Sequence, residues 1–185
     1  MTGGLVAART VLVLGGARSG KSAYAQQLAE AATPERVYVA TAEARDSEMA
    51  ARIARHRADR GAGWATREAP LALVEALADE ARPGRVVLAD CLTLWLSNLM
   101  LAGRDVETET ARLVSALATL TGPAILVSNE VGMGIVPDNA LARAFRDAQG
   151  RLNRDVAAAC DAAALVAAGL PILLKPAAPP ALRLG

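Results

Sequence analysis

At 185 residues, with 53% hydrophobic and 21% charged side chains, the chain can bury a core without staples and is too apolar for a disordered or collagen-like segment. Its 20 basic and 19 acidic residues leave a formal charge of +1, so there is no overall basic surplus of the kind that drives nucleic-acid binding. Aromatics are only 3%, which makes Ala, Val, Leu and Ile the core material. In chain order, Thr10 to Leu14 is a short branched run stopped by Gly15-Gly16 and reads as a buried parallel strand. Lys21 to Ala32 is rich in helix formers, and Pro34 blocks its continuation. Arg36 to Ala40 is a second strand. Asp46 or Ser47 can cap a helix to about Arg60, ended by Gly61 and Gly63, before the strand-like stretch Trp64 to Glu68.

A helix fits Leu71 to Ala81, then a strand Val86 to Ala89 ending at Asp90. Leu92 to Leu101 is apolar on nearly all sides and reads as a buried helix, and Thr108 to Leu120 as an amphipathic one. Ala124 to Val127 is a further strand, followed by a glycine-bearing loop from Asn129 to Pro137. Asp138 can cap a helix to about Ala159. Ala163 to Val166 and Ile172 to Leu174 complete the strands. Strands alternating with helices indicate one α/β domain over residues 1–185, three-layered, with a mostly parallel central sheet and helices on both faces; residues 1–9 and 176–185 read as loose ends. The two cysteines, Cys91 and Cys160, have no metal-ligand spacing, and no stretch reaches the ~20 apolar residues of a membrane span. Without a secretory leader, a cytoplasmic protein is expected.

The segment Gly15-Gly16-Ala17-Arg18-Ser19-Gly20-Lys21-Ser22 matches GxxxxGK[ST], the phosphate-binding loop. Its glycines let backbone N–H groups curl around phosphate oxygens, and the helix that follows aims its positive dipole end at the same oxygens. Lys21 is suited to the β- and γ-phosphates and the Ser22 hydroxyl to Mg²⁺. At this chain's frequencies of Gly, Lys and Ser/Thr the pattern would arise by chance in about one such chain in a thousand. The chain has 18 arginines and only two lysines, Lys21 and Lys175, so a lysine inside the motif is notable.

Three further side chains carry chemistry of their own. Asp90 ends a strand where a second Mg²⁺-directed carboxylate belongs; it also precedes an apolar helix, where it could be an N-cap. Glu130 ends the next strand on the ligand side of such a sheet, and functional and structural readings stand side by side. His56 is the only histidine. It shares a helical face with Met49 and Ile53, which suits a packed side chain. Yet Arg52, Arg55, Arg57 and Arg60 surround it in sequence, disfavouring the imidazolium form and attracting phosphate.

GGARSGKS (15–22), MAARIARHRADRGAGWATREAP (49–70), DCLTLWLSNL (90–99), NEVGMGIVP (129–137) and LARAFRDAQGRLNR (141–154) together resemble one family, the bifunctional adenosylcobinamide kinase / adenosylcobinamide-phosphate guanylyltransferases of cobalamin biosynthesis. The resemblance extends from about Val11 to Lys175. It implies the nucleotide-binding α/β fold, ATP and GTP as substrates with Mg²⁺, and adenosylcobinamide as the acceptor. It implies that Gly15 to Ser22 hold phosphates, that His56 becomes guanylylated, and that Ala40, Thr41, Ala42, Arg57, Ala58, Asp59, Arg60, Glu68 and Asp90 help hold GTP. Lys21 and His56 are then the catalytic pair, Ser22 and Asp90 the candidate metal ligands, and a homo-oligomer is expected. Where some relatives carry a second histidine beside the reactive one, this chain has Arg55. The alternative is a plain P-loop small-molecule kinase in which His56 is structural.

Overall fold

The branched, apolar runs form strands and the Ala/Leu/Glu-rich runs form helices, interleaved along the chain. The computed structural model describes residues 7–43 and 60–176. In order these are β1 (Thr10–Gly15), α1 (Lys21–Ala32), β2 (Glu35–Ala40), β3 (Trp64–Glu68), α2 (Leu73–Glu80), β4 (Arg85–Asp90), α3 (Leu92–Leu101), α4 (Val106–Thr119), β5 (Ala124–Asn129), α5 (Ala140–Ala159), β6 (Ala162–Ala167) and β7 (Leu170–Lys175). The helix expected from Asp46 or Ser47 lies outside the described residues, except for Arg60 at its end.

The seven strands make one sheet in the order β3-β2-β4-β5-β1-β6-β7. Every pairing is parallel except β6 with β7, which closes the edge as an antiparallel hairpin. After β1 the chain travels through α1 to β2, which lies beyond β5 and β4; after β5 it crosses β1 through α5 to reach β6. The strand order therefore reverses direction at β1, and the carboxyl ends of β1 and its neighbours border a crevice where α/β sheets take their ligands.

Two buried clusters flank the sheet, which gives the expected three layers. α1 packs over β1, β4, β5 and β6 with Ala25, Ala29, Val13, Leu88 and Val127 at the contact. The other cluster, beneath α2, α3, α4 and α5, is larger and built from leucines, with Trp95 fully buried and its indole N–H donating to the Leu71 carbonyl at 3.0 Å. α3 buries Leu92, Thr93, Trp95, Leu96, Asn98 and Leu99, most of its circumference, and leaves Leu101 exposed. Three helix starts differ from the sequence reading. α2 begins at Leu73 rather than Leu71. Asn139, not Asp138, caps α5, its Oδ1 accepting from the Ala142 N–H at 2.7 Å. α4 begins at Val106 rather than Thr108, because Asp105 accepts from the Glu107 and Thr108 N–H groups.

Candidate functional site

β1 ends at Gly15 and α1 begins at Lys21, so the glycine-rich segment is the strand-to-helix turn that the phosphate-loop reading requires. Gly15 has no room for a side chain: a Cβ there would run into Ser19 and lie 2.7 Å from the Val166 carbonyl oxygen. Gly20 takes φ +94° at the helix cap, a left-handed conformation natural to glycine, and Arg18 stands at φ +56°. The curl is held from below. The Gly169 N–H, in the β6–β7 turn, donates to the Ser19 carbonyl at 2.8 Å, and the Ser19 N–H donates to the Gly16 carbonyl at 3.3 Å. Lys21 reaches back across the loop, Nζ donating to the Gly16 carbonyl at 3.1 Å. Ser19 Oγ is buried with no protein partner, a polar atom inside the curl that suits a phosphate oxygen. Gly16, Ala17 and Arg18 form its exposed rim, and Ser22 stands in the first turn of α1.

The strand register assembles several of the other site residues into one row. Glu68 pairs with Ala40, Ala40 with Asp90, Asp90 with Val127, and Asn129 with Gly15. Glu68, Ala40, Asp90 and the start of the phosphate loop thus all lie at the carboxyl edge of the sheet. Thr41, just beyond Ala40, is wholly buried, and its polar atoms are engaged within the protein. Its hydroxyl accepts from the Cys91 N–H and donates to the Cys91 carbonyl, both at 2.8 Å, and its carbonyl accepts from Asn98 Nδ2 at 2.8 Å. Asn98 also reaches the Pro70 carbonyl at 3.1 Å, so one amide on α3 pins both loops that follow β2 and β3. Ala42 is half-buried beside this junction.

Asp90 is the last residue of β4. The N-cap of α3 is Cys91, without a side-chain cap, so the capping role considered for Asp90 is not the one it has. Instead Asp90 faces Tyr38, two residues before Ala40 on β2, and Arg60 lies over the Tyr38 ring with its guanidinium carbon 3.6 Å from the centroid. Burial, then the Asp90 carboxylate, pushes the Tyr38 phenol far above its ordinary range, so it stays protonated. Burial and the same carboxylate raise the Cys91 thiol to about 11, while Lys21 acts in the opposite sense; burial raises Cys160 to about 12. Neither thiol is a nucleophile at neutral pH. That Cys91 feels both Asp90 and Lys21 sets these two charges at the same end of the sheet. Ser22 and Asp90 are oxygen donors of the kind Mg²⁺ takes. Among the described residues no group of three or more His, Cys, Asp or Glu could hold a metal. The donor set therefore fits an ion that arrives with phosphate oxygens and water rather than one caged by protein.

The segment after β5 is held by a buried polar network that sequence reasoning missed. Ser128 Oγ donates to Asn153 Oδ1 at 2.6 Å, Gln149 Nε2 bridges both at 2.9 Å, and Asn153 Nδ2 donates to the Asn129 carbonyl at 3.0 Å. Thr93 Oγ1 accepts from the Asn129 N–H at 2.9 Å, and the Glu130 N–H donates to the Gly15 carbonyl at 3.1 Å. Gln149 and Asn153 sit four residues apart on α5, and two amides at that spacing on a helix's buried face were the available signal. Asn98, polar within an apolar helix, was another. Trp64, half-buried, packs against the α1-side cluster. His56, Arg57, Ala58 and Asp59 lie outside the described residues.

The sequence model of the family described as "Cobinamide kinase / cobinamide phosphate guanyltransferase" matches residues 11–174. The chain is 48% identical over 166 residues to the bifunctional adenosylcobalamin biosynthesis protein CobP of Pseudomonas aeruginosa, covering 89% of this chain and 96% of that protein. It is 39% identical over 180 residues to the bifunctional adenosylcobalamin biosynthesis proteins CobU of Salmonella typhimurium and of Escherichia coli, in each case covering 89% of this chain and 99% of the relative. Among solved structures, the P4 protein from bacteriophage phi6 in complex with ADP superposes with a TM-score of 0.50 at 16% identity, over 90% of this chain and 53% of that one, a likeness of fold alone. With a match over nearly its whole length and relatives this similar, the chain belongs to the cobinamide kinase / cobinamide phosphate guanyltransferase family.

Proposed function

We propose that this chain performs both reactions of its family's description, phosphorylating adenosylcobinamide and then joining GMP to the product. The observation that carries the reading is the row of Glu68, Ala40 and Asp90 at the carboxyl edge of the sheet, the same edge at which β1 runs into the phosphate loop at Gly15. In the first reaction the hydroxyl of the acceptor's aminopropanol arm attacks the γ-phosphorus of ATP or GTP. The bond to the β-phosphate oxygen breaks and the nucleoside diphosphate leaves. Lys21 and the loop N–H groups neutralise charge on the transferring group. Mg²⁺, when bound, supplies further neutralisation of the phosphates, and Ser22 and Asp90 are the residues that would hold it.

In the second reaction an imidazole nitrogen of His56 attacks the α-phosphorus of GTP and expels pyrophosphate, leaving GMP as a phosphoramidate. The phosphate of the acceptor then attacks that phosphorus, releasing His56 and forming adenosylcobinamide-GDP. Neutral imidazole is required, and the arginines around His56 in sequence favour it. We assign the protein to the cytoplasm and to a homo-oligomer; among the described residues no helix is long and apolar enough to cross a membrane.

Incubation with GTP labelled at the α-phosphate tests the reading. Acid-labile, alkali-stable label on the protein, together with conversion of adenosylcobinamide to its phosphate, is the expected result. Phosphorylation without label would leave a plain kinase with a structural His56. Neither product would overturn the enzyme reading altogether.

A further inference from the structure

The loop from Glu130 to Asp138 is fastened at both ends and apolar in the middle. Its start is held by the Glu130 N–H on the Gly15 carbonyl and by the Thr93 and Asn153 bonds to Asn129. Its end is held by Arg143, which donates to the Pro137 and Asp138 carbonyls at 3.0 and 2.7 Å. Between these anchors Met133, Ile135 and Val136 are 81%, 97% and 62% exposed. Three neighbouring large apolar side chains displayed on a pinned loop mark a contact surface rather than scattered surface residues. The loop leaves β5 in register with Gly15, so this surface borders the phosphate loop. An acceptor attacking a γ-phosphate in line must rest its body against that border.

We propose that this loop is the acceptor site, with Met133, Ile135 and Val136 receiving the apolar faces of the corrin macrocycle and Glu130 receiving the hydroxyl of its arm. The proposal rests on the reading of the chain as a cobinamide kinase. Glu130 Oε1 accepts from the Gly132 N–H at 2.6 Å, which holds one carboxylate oxygen and leaves Oε2 for the acceptor. As the hydroxyl oxygen bonds to the γ-phosphorus, its proton passes to Glu130 and the nucleoside diphosphate departs. A corrin is broad, largely apolar and edged with neutral amides, and it suits an uncharged, adaptable surface containing methionine.

The test begins with unaltered enzyme. If it phosphorylates no cobinamide, the reading of function fails and the acceptor site with it; turnover permits the variants to address the loop alone. Met133→Ser/Ile135→Ser is expected to raise KM for cobinamide about tenfold or more, with KM for the nucleotide changed by less than about twofold. Glu130→Gln keeps the Oε1 acceptor for Gly132 and is expected to lower kcat of phosphorylation about tenfold or more with little change in either KM. In the unaltered protein, saturating cobinamide is expected to slow peroxide oxidation of Met133 but not that of Met100, which gives a readout independent of any variant's folding. An unchanged KM in the double variant, or Met133 oxidation indifferent to cobinamide, would overturn the proposal. A double variant that keeps its KM but dissociates into smaller assemblies would give the surface to a second copy of the chain instead.

Discussion

Lys21 and Lys175 are the only lysines in a chain that otherwise writes its positive charges as arginine, and they hold opposite ends of the molecule's chemistry. Lys175 Nζ donates to the Ala158 carbonyl at 2.7 Å, to that of Cys160 at 2.5 Å and to that of Ala157 at 3.2 Å, closing the last turn of α5. Three rotatable donors on a point charge fit a cluster of helix-end carbonyls better than a planar guanidinium does. Lys175→Ala is expected to cost about 1 kcal/mol and leave nucleotide affinity unchanged, read by thermal melting and by titration with GTP. Lys21→Ala is expected to do the reverse, lowering nucleotide affinity and both turnovers by about a hundredfold or more while the melting temperature of the free protein holds. The rarity of lysine was visible in the sequence and drew attention to both positions. Rarity alone does not separate the two: the phosphate-loop motif singles out Lys21, whereas the α5 carbonyls that occupy Lys175 meet it only in the folded hairpin. Asp90 gives a similar lesson. Its two readings divided on whether it caps α3, and only the strand end at Asp90 with Cys91 as the cap residue separates them. Asp90→Asn therefore has no cap to preserve or lose, and a fall in GTP turnover at unchanged melting temperature is the expected outcome.

Elements were legible wherever a run was long and its pattern consistent. β1, α1 and α3 lie within a residue of where the sequence puts them, because propensity, burial and terminators agree there. Apart from the phosphate loop, whose motif gave it away, the connections that border the site were not legible, since their hydrogen bonds reach partners far along the chain. Asn98 is the sharpest case: its amide joins Thr41 and Pro70, 57 and 28 residues away, and so sets the loops that follow β2 and β3 at the carboxyl edge of the sheet. Asn98→Ala leaves two buried carbonyls short of a donor and is expected to cost about 1–3 kcal/mol in denaturant unfolding. Asn98→Asp preserves size but turns an acceptor oxygen toward both carbonyls, so a larger loss than Ala is expected at neutral pH; an Asp variant as stable as wild type would remove Asn98 from this role. Asp161 ties the start of β1 to the start of β6, accepting from the Arg9 and Thr10 N–H groups at 2.9 Å and from the Thr10 hydroxyl at 3.1 Å. These bonds, the Thr10 N–H first, hold its carboxyl below the ordinary 3.8. A depressed carboxyl pKa stabilises the fold above the unfolded value, and that contribution is lost as pH falls through the folded one. Asp161→Asn is therefore expected to melt earlier than wild type at pH 7, with the gap narrowing below about pH 4.

At the scale of the whole molecule, two chemistries are asked of one sheet edge. The described residues contain a single phosphate loop, and the carboxylate row formed by Glu68 and Asp90 runs along the same carboxyl ends as Gly15. On the proposed reading, kinase and guanylyl transfer share the groups that hold triphosphate and differ in the nucleophile: a substrate hydroxyl in the first, a protein nitrogen in the second. Loss of the shared lysine should silence both, whereas loss of the protein nucleophile should silence one. His56→Asn tests this division, because Asn retains much of the packing and hydrogen bonding of a structural imidazole yet cannot form a phosphoramidate. The expected outcome is no covalent GMP from labelled GTP and no adenosylcobinamide-GDP, with phosphorylation of adenosylcobinamide retained within about tenfold of wild type. Arginines cannot substitute for the missing nucleophile, being protonated throughout the usable pH range. Arg60, stacked on Tyr38 beside Asp90, brings the end of the arginine-rich segment to the carboxyl edge of the sheet. A folded His56→Asn protein that still accumulates covalent GMP would move the nucleophile elsewhere. One that loses phosphorylation together with guanylylation would show that the two reactions share more of the site than the phosphate loop and its carboxylate row.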